Sequence, residues 1–221
     1  MSPDRQNHHV VIVPGVRVLE KHCVPLTNHL AQVGMPVHMF GYPRLEWSVD
    51  RAALMLASFV DSEVLQSRGD RSVSVVGIET GTLIARLYLS HYQLLAARRC
   101  VLVADARHPA DAWRQKRAGW FARRRFGVVL AQLTEGPEGF AAQCGVPPVP
   151  YGVLVTDATL PAGTDPRDNE LVRSSLCASP SVLKDALGVV YVADACATAL
   201  RVPRVHECIS EFLLHGWFAN A

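Results

Sequence analysis

The chain has almost no excess of charge: 22 Lys and Arg face 20 Asp and Glu, a net of +2. That is too little for the broad basic field of a general nucleic-acid binder, so no nucleic-acid partner is expected. Its six cysteines (Cys23, Cys100, Cys144, Cys177, Cys196, Cys208) include no Cys-x-x-Cys pair. This spacing argues against a structural zinc site, and a chain of this size needs no disulfide framework. The cysteines read as small buried residues in the cytoplasm or another reducing compartment. No apolar run is long enough to span a bilayer. Met1 to His9 is polar, with nothing like the apolar core of a signal peptide. The pair His8-His9 in that polar stretch reads as incidental, and neither a metal nor a cofactor is expected. There is no internal repeat, low-complexity tract or linker.

What is present is 221 residues of which 49% are hydrophobic, enough for one domain over 1–221 with a substantial core. Short apolar runs at Val10–Val13, Val37–Phe40, Val73–Val76, Cys100–Ala104, Tyr151–Thr156 and Gly188–Val192 read as buried strands. Between them lie helical patterns. Val24–Val33 carries Leu26, Leu30 and Val33, with Pro25 suited to a first turn and Gly34 to the stop. Asp50–Gln66 carries Leu54, Leu56, Phe59, Val60 and Leu65. Pro203–Leu214 carries Val205, Cys208, Ile209, Phe212 and Leu213. Strands alternating with helices predict an α/β fold, a mostly parallel sheet of about six strands with helices on both faces and right-handed crossovers.

The most informative stretch is Val73 to Arg86. A β-branched run enters a tight Gly77-Ile78-Glu79-Thr80-Gly81 turn and leaves as a helix with Leu83, Ile84, Leu87, His91, Leu94 and Leu95 on one face. Strand, Gly-x-x-x-Gly turn and helix form a nucleophile elbow, which lifts its central residue to the top of a sheet beside a helix N-terminus. Residues Val76, Gly77, Gly81, Leu83, Ile84, Ala85 and Arg86 resemble the α/β-hydrolase family, in particular small bacterial lipases and lipase-like proteins. The Gly41-Tyr42-Pro43 turn is similar to theirs as well. The resemblance implies an α/β-hydrolase-like sheet lacking the first two strands of the larger members, with a short lid insertion at about 107–150.

It also implies a triad in the order nucleophile, acid, His, and each position departs. Glu79 stands where the family has Ser. A carboxylate can attack, but Glu displaces the reacting oxygen from a site built to tight tolerance. The acid turn of lipase-like proteins compares with Asp185-Ala186-Leu187-Gly188-Val189, which puts Leu187 at the acid position and Asp185 two residues early. No His lies between Ala193 and Pro203. His206 falls inside the closing helix, where it reads as a polar neighbour of the apolar stripe, and His215 at its far end. The loop after the first strand, whose backbone N–H serves the family's oxyanion hole, has Pro14 in place of His. Asp105 and Asp157 follow strands at the edge where α/β ligands bind, although Asp after a strand is also common turn chemistry. A buried Glu79 would need a partner or would stay protonated.

Residues 111–127 change character. Arg114, Lys116, Arg117, Arg123, Arg124 and Arg125 alternate with Trp113, Trp120, Phe121 and Phe126. One reading is a docking surface for a protein partner, lipid or membrane interface; the other is a lid helix with its arginines in water and its aromatics packed inward. Taken together, a retained scaffold with three altered triad positions implies a catalytically inactive, pseudo-lipase protein acting as a structural or binding subunit of an assembly. The alternatives are an esterase or lipase using Glu79, with Asp185 or Asp157 and His206 recruited, or a protein that holds a lipid or acyl chain without cleaving it.

Overall fold

The computed structural model describes residues 8–65, 72–92, 97–106, 128, 132, 143–158 and 180–218. Six strands form one sheet: β1 (His8–Val13), β2 (Val37–Met39), β3 (Ser72–Ile78), β4 (Ala97–Asp105), β5 (Tyr151–Thr156) and β6 (Gly188–Val192). Their spatial order is β2-β1-β3-β4-β5-β6, and every neighbouring pair is parallel. The chain runs outward from β1 to β2, then crosses to the other side of β1 for β3. The strand order therefore reverses between β1 and β3, and the crevice beyond their C-terminal ends is where such sheets bind ligands.

Among the described residues the helices are α1 (Glu20–Gln32), α2 (Val49–Phe59), α3 (Gly81–Leu87), α4 (Pro180–Asp185), α5 (Cys196–Ala199) and α6 (Pro203–His215). Wider helical turns continue α2 through Leu65 and α3 through Tyr92. Strand alternation divides the core in two. Val10, Ile12, Val76 and Ile78 pack with Leu26, Leu30, Ile209 and Phe212 of α1 and α6. Val11, Val13, Val73 and Val75 pack with Leu56, Val60, Leu83 and Ile84 on the opposite face. The stripe Val205, Cys208, Ile209, Phe212 and Leu213 is wholly buried, each large side chain contributing about 1.5–3 kcal/mol. Gly216, in the left-handed region at φ 87°, ends α6 and donates its N–H to the Phe212 carbonyl at 2.8 Å.

Several expectations need correction. Helix α1 begins at Glu20, before Pro25, which sits inside it. His22 Nδ1 accepts the Leu19 N–H at 3.2 Å and so secures that early start. Leu54 does not anchor α2 but is half exposed; Val49, Ala52, Ala53 and Leu56 are the buried stripe, and the helix lies close against α3. His91 is exposed and leaves the predicted apolar face of the elbow helix. Leu94, Leu95, most of the lid-like insertion and all nine basic and aromatic residues proposed for docking, Trp113 to Arg125, lie outside the described residues. Cys23, Cys100, Cys144, Cys196 and Cys208 are buried and in no disulfide, and burial pushes the Cys23 thiol up to about 11 and that of Cys144 to about 12. Among the described residues, no helix is long and apolar enough to cross a membrane.

His8 and His9 are not a loose polar pair. Both are buried in β1. His8 Nε2 lies 2.7 Å from Ser74 Oγ on β3. Burial, then the charges of Arg98, Arg99 and His9, lower its pKa from 6.5 to about 4. The unfolded chain thus takes up a proton at His8 before the folded chain does, so stability falls as pH drops from 6.5 towards 4. The shift corresponds to about 3 kcal/mol. Urea unfolding of the wild type and His8→Gln across this window should show the variant losing less stability in acid. Parallel profiles would contradict the assignment.

Candidate functional site

The crevice at the strand reversal is built by the β1–α1 loop, the elbow and the loop after β6. The elbow follows from close packing. A Cβ on Gly77 would meet Thr82 Cα at 2.8 Å, and one on Gly81 would run into the Val13 carbonyl. Glu79 sits between them at φ 55°, the one non-glycine residue with positive φ among the described residues. That conformation costs on the order of 1 kcal/mol and persists only when the surroundings fix it. Here they do. Glu79 N–H donates to the Val103 carbonyl at 2.8 Å. Its own carbonyl accepts from Thr82 Oγ1 at 2.6 Å and from Thr82 N–H at 3.0 Å, which opens α3.

The Glu79 side chain is 1% exposed and fully engaged. Oε2 accepts the backbone N–H of Arg17 at 2.9 Å, and Oε1 accepts Arg17 Nε–H at 2.6 Å. Arg17 Nη2 reaches Asp105 Oδ2 at 2.7 Å. One guanidinium therefore bridges two carboxylates from the ends of β3 and β4. Burial works against the Arg17 charge, but Glu79 and then Asp105 outweigh it and leave its pKa raised. The rest of the loop is held the same way. Val16 N–H donates to Thr80 Oγ1 at 2.8 Å, Tyr42 hydroxyl to the Pro14 carbonyl at 3.0 Å, and Arg44 Nη1–H to the Val18 carbonyl at 3.0 Å. Gly15 is required at this point, since a Cβ there would strike the Glu79 carboxylate. The loop N–H groups that would meet a substrate oxyanion in this architecture thus point at Thr80 and Glu79.

Beside this cluster lies an open cleft of about 170 Å³, lined by Arg17, Val18, Glu79, Asp105, Ala195, Cys196 and Ala197. It is smaller than the roughly 300–1,000 Å³ of ordinary ligand pockets. The loop after β6, where a triad His would sit, contributes Cys196 instead.

The acid assignment changes. Leu187 donates its N–H to the Tyr151 carbonyl at the start of β5, so Leu187 and Asp185 are at the opposite end of the sheet from the elbow. Both are exposed. Two carboxylates stand between elbow and last loop in chain order at the elbow's edge of the sheet: Asp105, at the end of β4 and bridged to Arg17, and Asp157, buried directly after β5. Its backbone N–H donates to the Val192 carbonyl at 3.1 Å, and its carbonyl accepts from the Tyr191 hydroxyl at 2.9 Å. His206 does not line the cleft. Its Nε2–H is directed at the Leu200 carbonyl at 2.8 Å, and its ring lies 5.6 Å from that of His29 between α1 and α6. His215 caps the surface of α6, 3.6 Å from Glu211. Arg17 is the residue that reading the sequence missed. That a buried Glu79 would need a partner or stay protonated was legible, but nothing local marked Arg17 as that partner.

No protein-family model and no curated protein sequence matches the chain. Solved structures do match it by shape. They include a lipase-esterase related protein from Clostridium acetobutylicum, with TM-score 0.58 and 10% identity over 97% of this chain and 96% of that one. A Pyrococcus furiosus esterase matches with TM-score 0.60 and 13% identity over 96% and 82%. A Bacillus anthracis bromoperoxidase matches with TM-score 0.59 and 13% identity over 95% and 91%. At these identities the likeness is one of fold: the chain has the α/β-hydrolase fold.

The ion pair at the elbow predicts strong coupling. Arg17→Met leaves a buried carboxylate without its cation and should cost about 2 kcal/mol, reduced from the full buried-pair value because Arg17 is partly exposed. Adding Glu79→Gln should recover part of that loss. Urea unfolding of both single variants and the double variant checks this, and simple additivity would show that the two side chains do not interact.

Proposed function

We propose that this protein is a non-catalytic member of the α/β-hydrolase fold that serves as a structural or binding subunit of a larger assembly. The observation that carries the reading is the internal engagement of Glu79. A general base or nucleophile must offer a lone pair to the reacting group at hydrogen-bond distance. Both Glu79 oxygens instead accept hydrogen bonds from Arg17. The replacement of the late His by Cys196 supports the same reading, since no described imidazole stands at the cleft to take and return a proton. The small volume of the cleft favours a scaffold over a container for an acyl chain.

In this proposal the basic and aromatic segment Trp113 to Arg125 is the surface offered to a partner. Its composition suits an anionic protein face or a membrane surface better than a buried core.

The test uses the whole purified chain, the wild type beside Glu79→Gln, with a fluorophosphonate probe and a panel of chromogenic acyl esters. The expected outcome is no covalent labelling and no hydrolysis above the variant. Ester turnover lost in Glu79→Gln would overturn the reading and make Glu79 the reacting carboxylate of an unusual hydrolase.

A further inference from the structure

We infer that the protein docks on an anionic lipid surface through the rim beside the cleft. This names the partner of the proposed binding role and rests on that reading. The charge of the chain is unevenly placed. From Ala112 to Thr134 there are six basic residues, Arg114, Lys116, Arg117, Arg123, Arg124 and Arg125, and no Asp or Glu. The other 16 Lys and Arg face all 20 Asp and Glu, so the rest of the chain is net negative. A near-neutral total conceals one strongly basic stretch.

Residues 112–127 lie outside the described residues and enter here by their sequence alone. Trp113, Trp120, Phe121 and Phe126 are interleaved with the basic residues, and neither regular period separates the two kinds. At 3.6 residues per turn, Arg124 and Arg117 would project between Trp113 and Phe121. At a period of two, each face would carry aromatic and basic residues together. A protein core could not take these rings without taking guanidinium groups as well, at a large desolvation cost. The headgroup layer of an anionic bilayer accepts both, rings towards the acyl chains and charges against phosphate.

The described residues show where this stretch meets the fold. Val128 N–H donates to the Leu45 carbonyl at 3.2 Å. Gln132 holds the start of α2, accepting from Val49 N–H at 2.9 Å and donating to Asp50 Oδ2 at 2.9 Å. Val128 is 39% exposed, Leu45 49% and Leu19 47%. Arg44, next to Leu45, donates to the Val18 carbonyl at 3.0 Å and lies 3.6 Å from Glu20, on either side of Leu19. The loops after β1 and β2 thus bring exposed aliphatic side chains to the cleft edge of the sheet, where the basic stretch joins it. The charges among them, Lys21, Arg44 and Arg51 against Glu20, Glu46 and Asp50, cancel. Aliphatic side chains on a neutral rim beside six basic residues suit lipid better than an acidic protein face, because lipid takes them without matching directional partners.

The experiment is flotation of the full chain with vesicles of phosphatidylcholine, with and without phosphatidylserine. Binding should need phosphatidylserine and fall at high salt. Replacing Arg123, Arg124 and Arg125 together by Gln should weaken it on the order of 100-fold, since each basic residue at such a surface contributes about fivefold. Leu19→Ser with Leu45→Ser should weaken it about tenfold. Both substitutions are at exposed side chains, and melting curves check that the variant remains folded. No binding to the anionic vesicles, or equal binding to the neutral ones, would overturn the inference. So would binding that the leucine variant leaves unchanged, since the aliphatic rim would then touch no lipid. The same vesicles are assayed for released fatty acid. Release would overturn the non-catalytic reading and leave the docking in place, whereas a lack of binding would overturn the docking alone.

Discussion

A carboxylate buried at the top of a strained turn, with a guanidinium drawn in against it, is the constraint on which this structure depends. Glu79 holds a left-handed conformation and is almost completely shielded from water. Either condition alone is costly. Arg17 offsets both, because its backbone N–H and its side chain reach the same carboxylate from a loop belonging to a different strand. The loop must therefore pass directly over the elbow. That explains why Gly15 has no room for a side chain and why Gly81 packs against the Val13 carbonyl. Tyr42 and Arg44 then pin the same loop from the β2 side through the Pro14 and Val18 carbonyls.

The same interactions bear on chemistry. An ester-hydrolysing site on this fold needs an exposed nucleophile, loop N–H donors aimed at the developing oxyanion, and an imidazole close by. The architecture that presents such groups is intact: elbow, crossing loop and final loop all converge beyond the C-terminal ends of β1 and β3. What they present is different. The donors are directed inward to Thr80 and Glu79, and the final loop brings a buried thiol. In the proposed reading, the scaffold is stabilised by groups that an ester-hydrolysing site would leave for the substrate.

Where the residue pattern was strong and local, the fold was legible in the sequence. β5, β6 and α6 fall almost where their apolar runs place them: β5 is buried on both faces of the sheet, and α6 buries its whole stripe against one layer. The elbow was legible from two glycines and the strand before them. Errors arose where tertiary packing overrode local preference. Pro25 did not start α1, since His22 caps an earlier turn. Leu54 points to solvent, while Ala52 and Ala53 are on the buried face of α2, which packs close to α3. His8 and His9 were hidden by a polar neighbourhood in the chain that is not their neighbourhood in space. The site was harder still. Glu79 and the absence of a late His were visible, whereas Arg17 lies 62 residues from its partner and no spacing rule connects them. Leu187 was matched to the acid turn by a short local pattern that sits at the wrong end of β6, whereas Asp105 and Asp157 lie at the elbow's end of the sheet.

The most direct measurement is amide hydrogen exchange at Arg17 and Val16, resolved residue by residue in the wild type and in Glu79→Ala. These amides belong to a surface loop outside the regular elements and would ordinarily exchange fast. The account predicts that both are protected in the wild type and that Arg17 loses its protection when the carboxylate is removed. Fast exchange at Arg17 in the wild type would contradict it, and would mean that the loop does not close over the elbow and that Glu79 is open to a substrate.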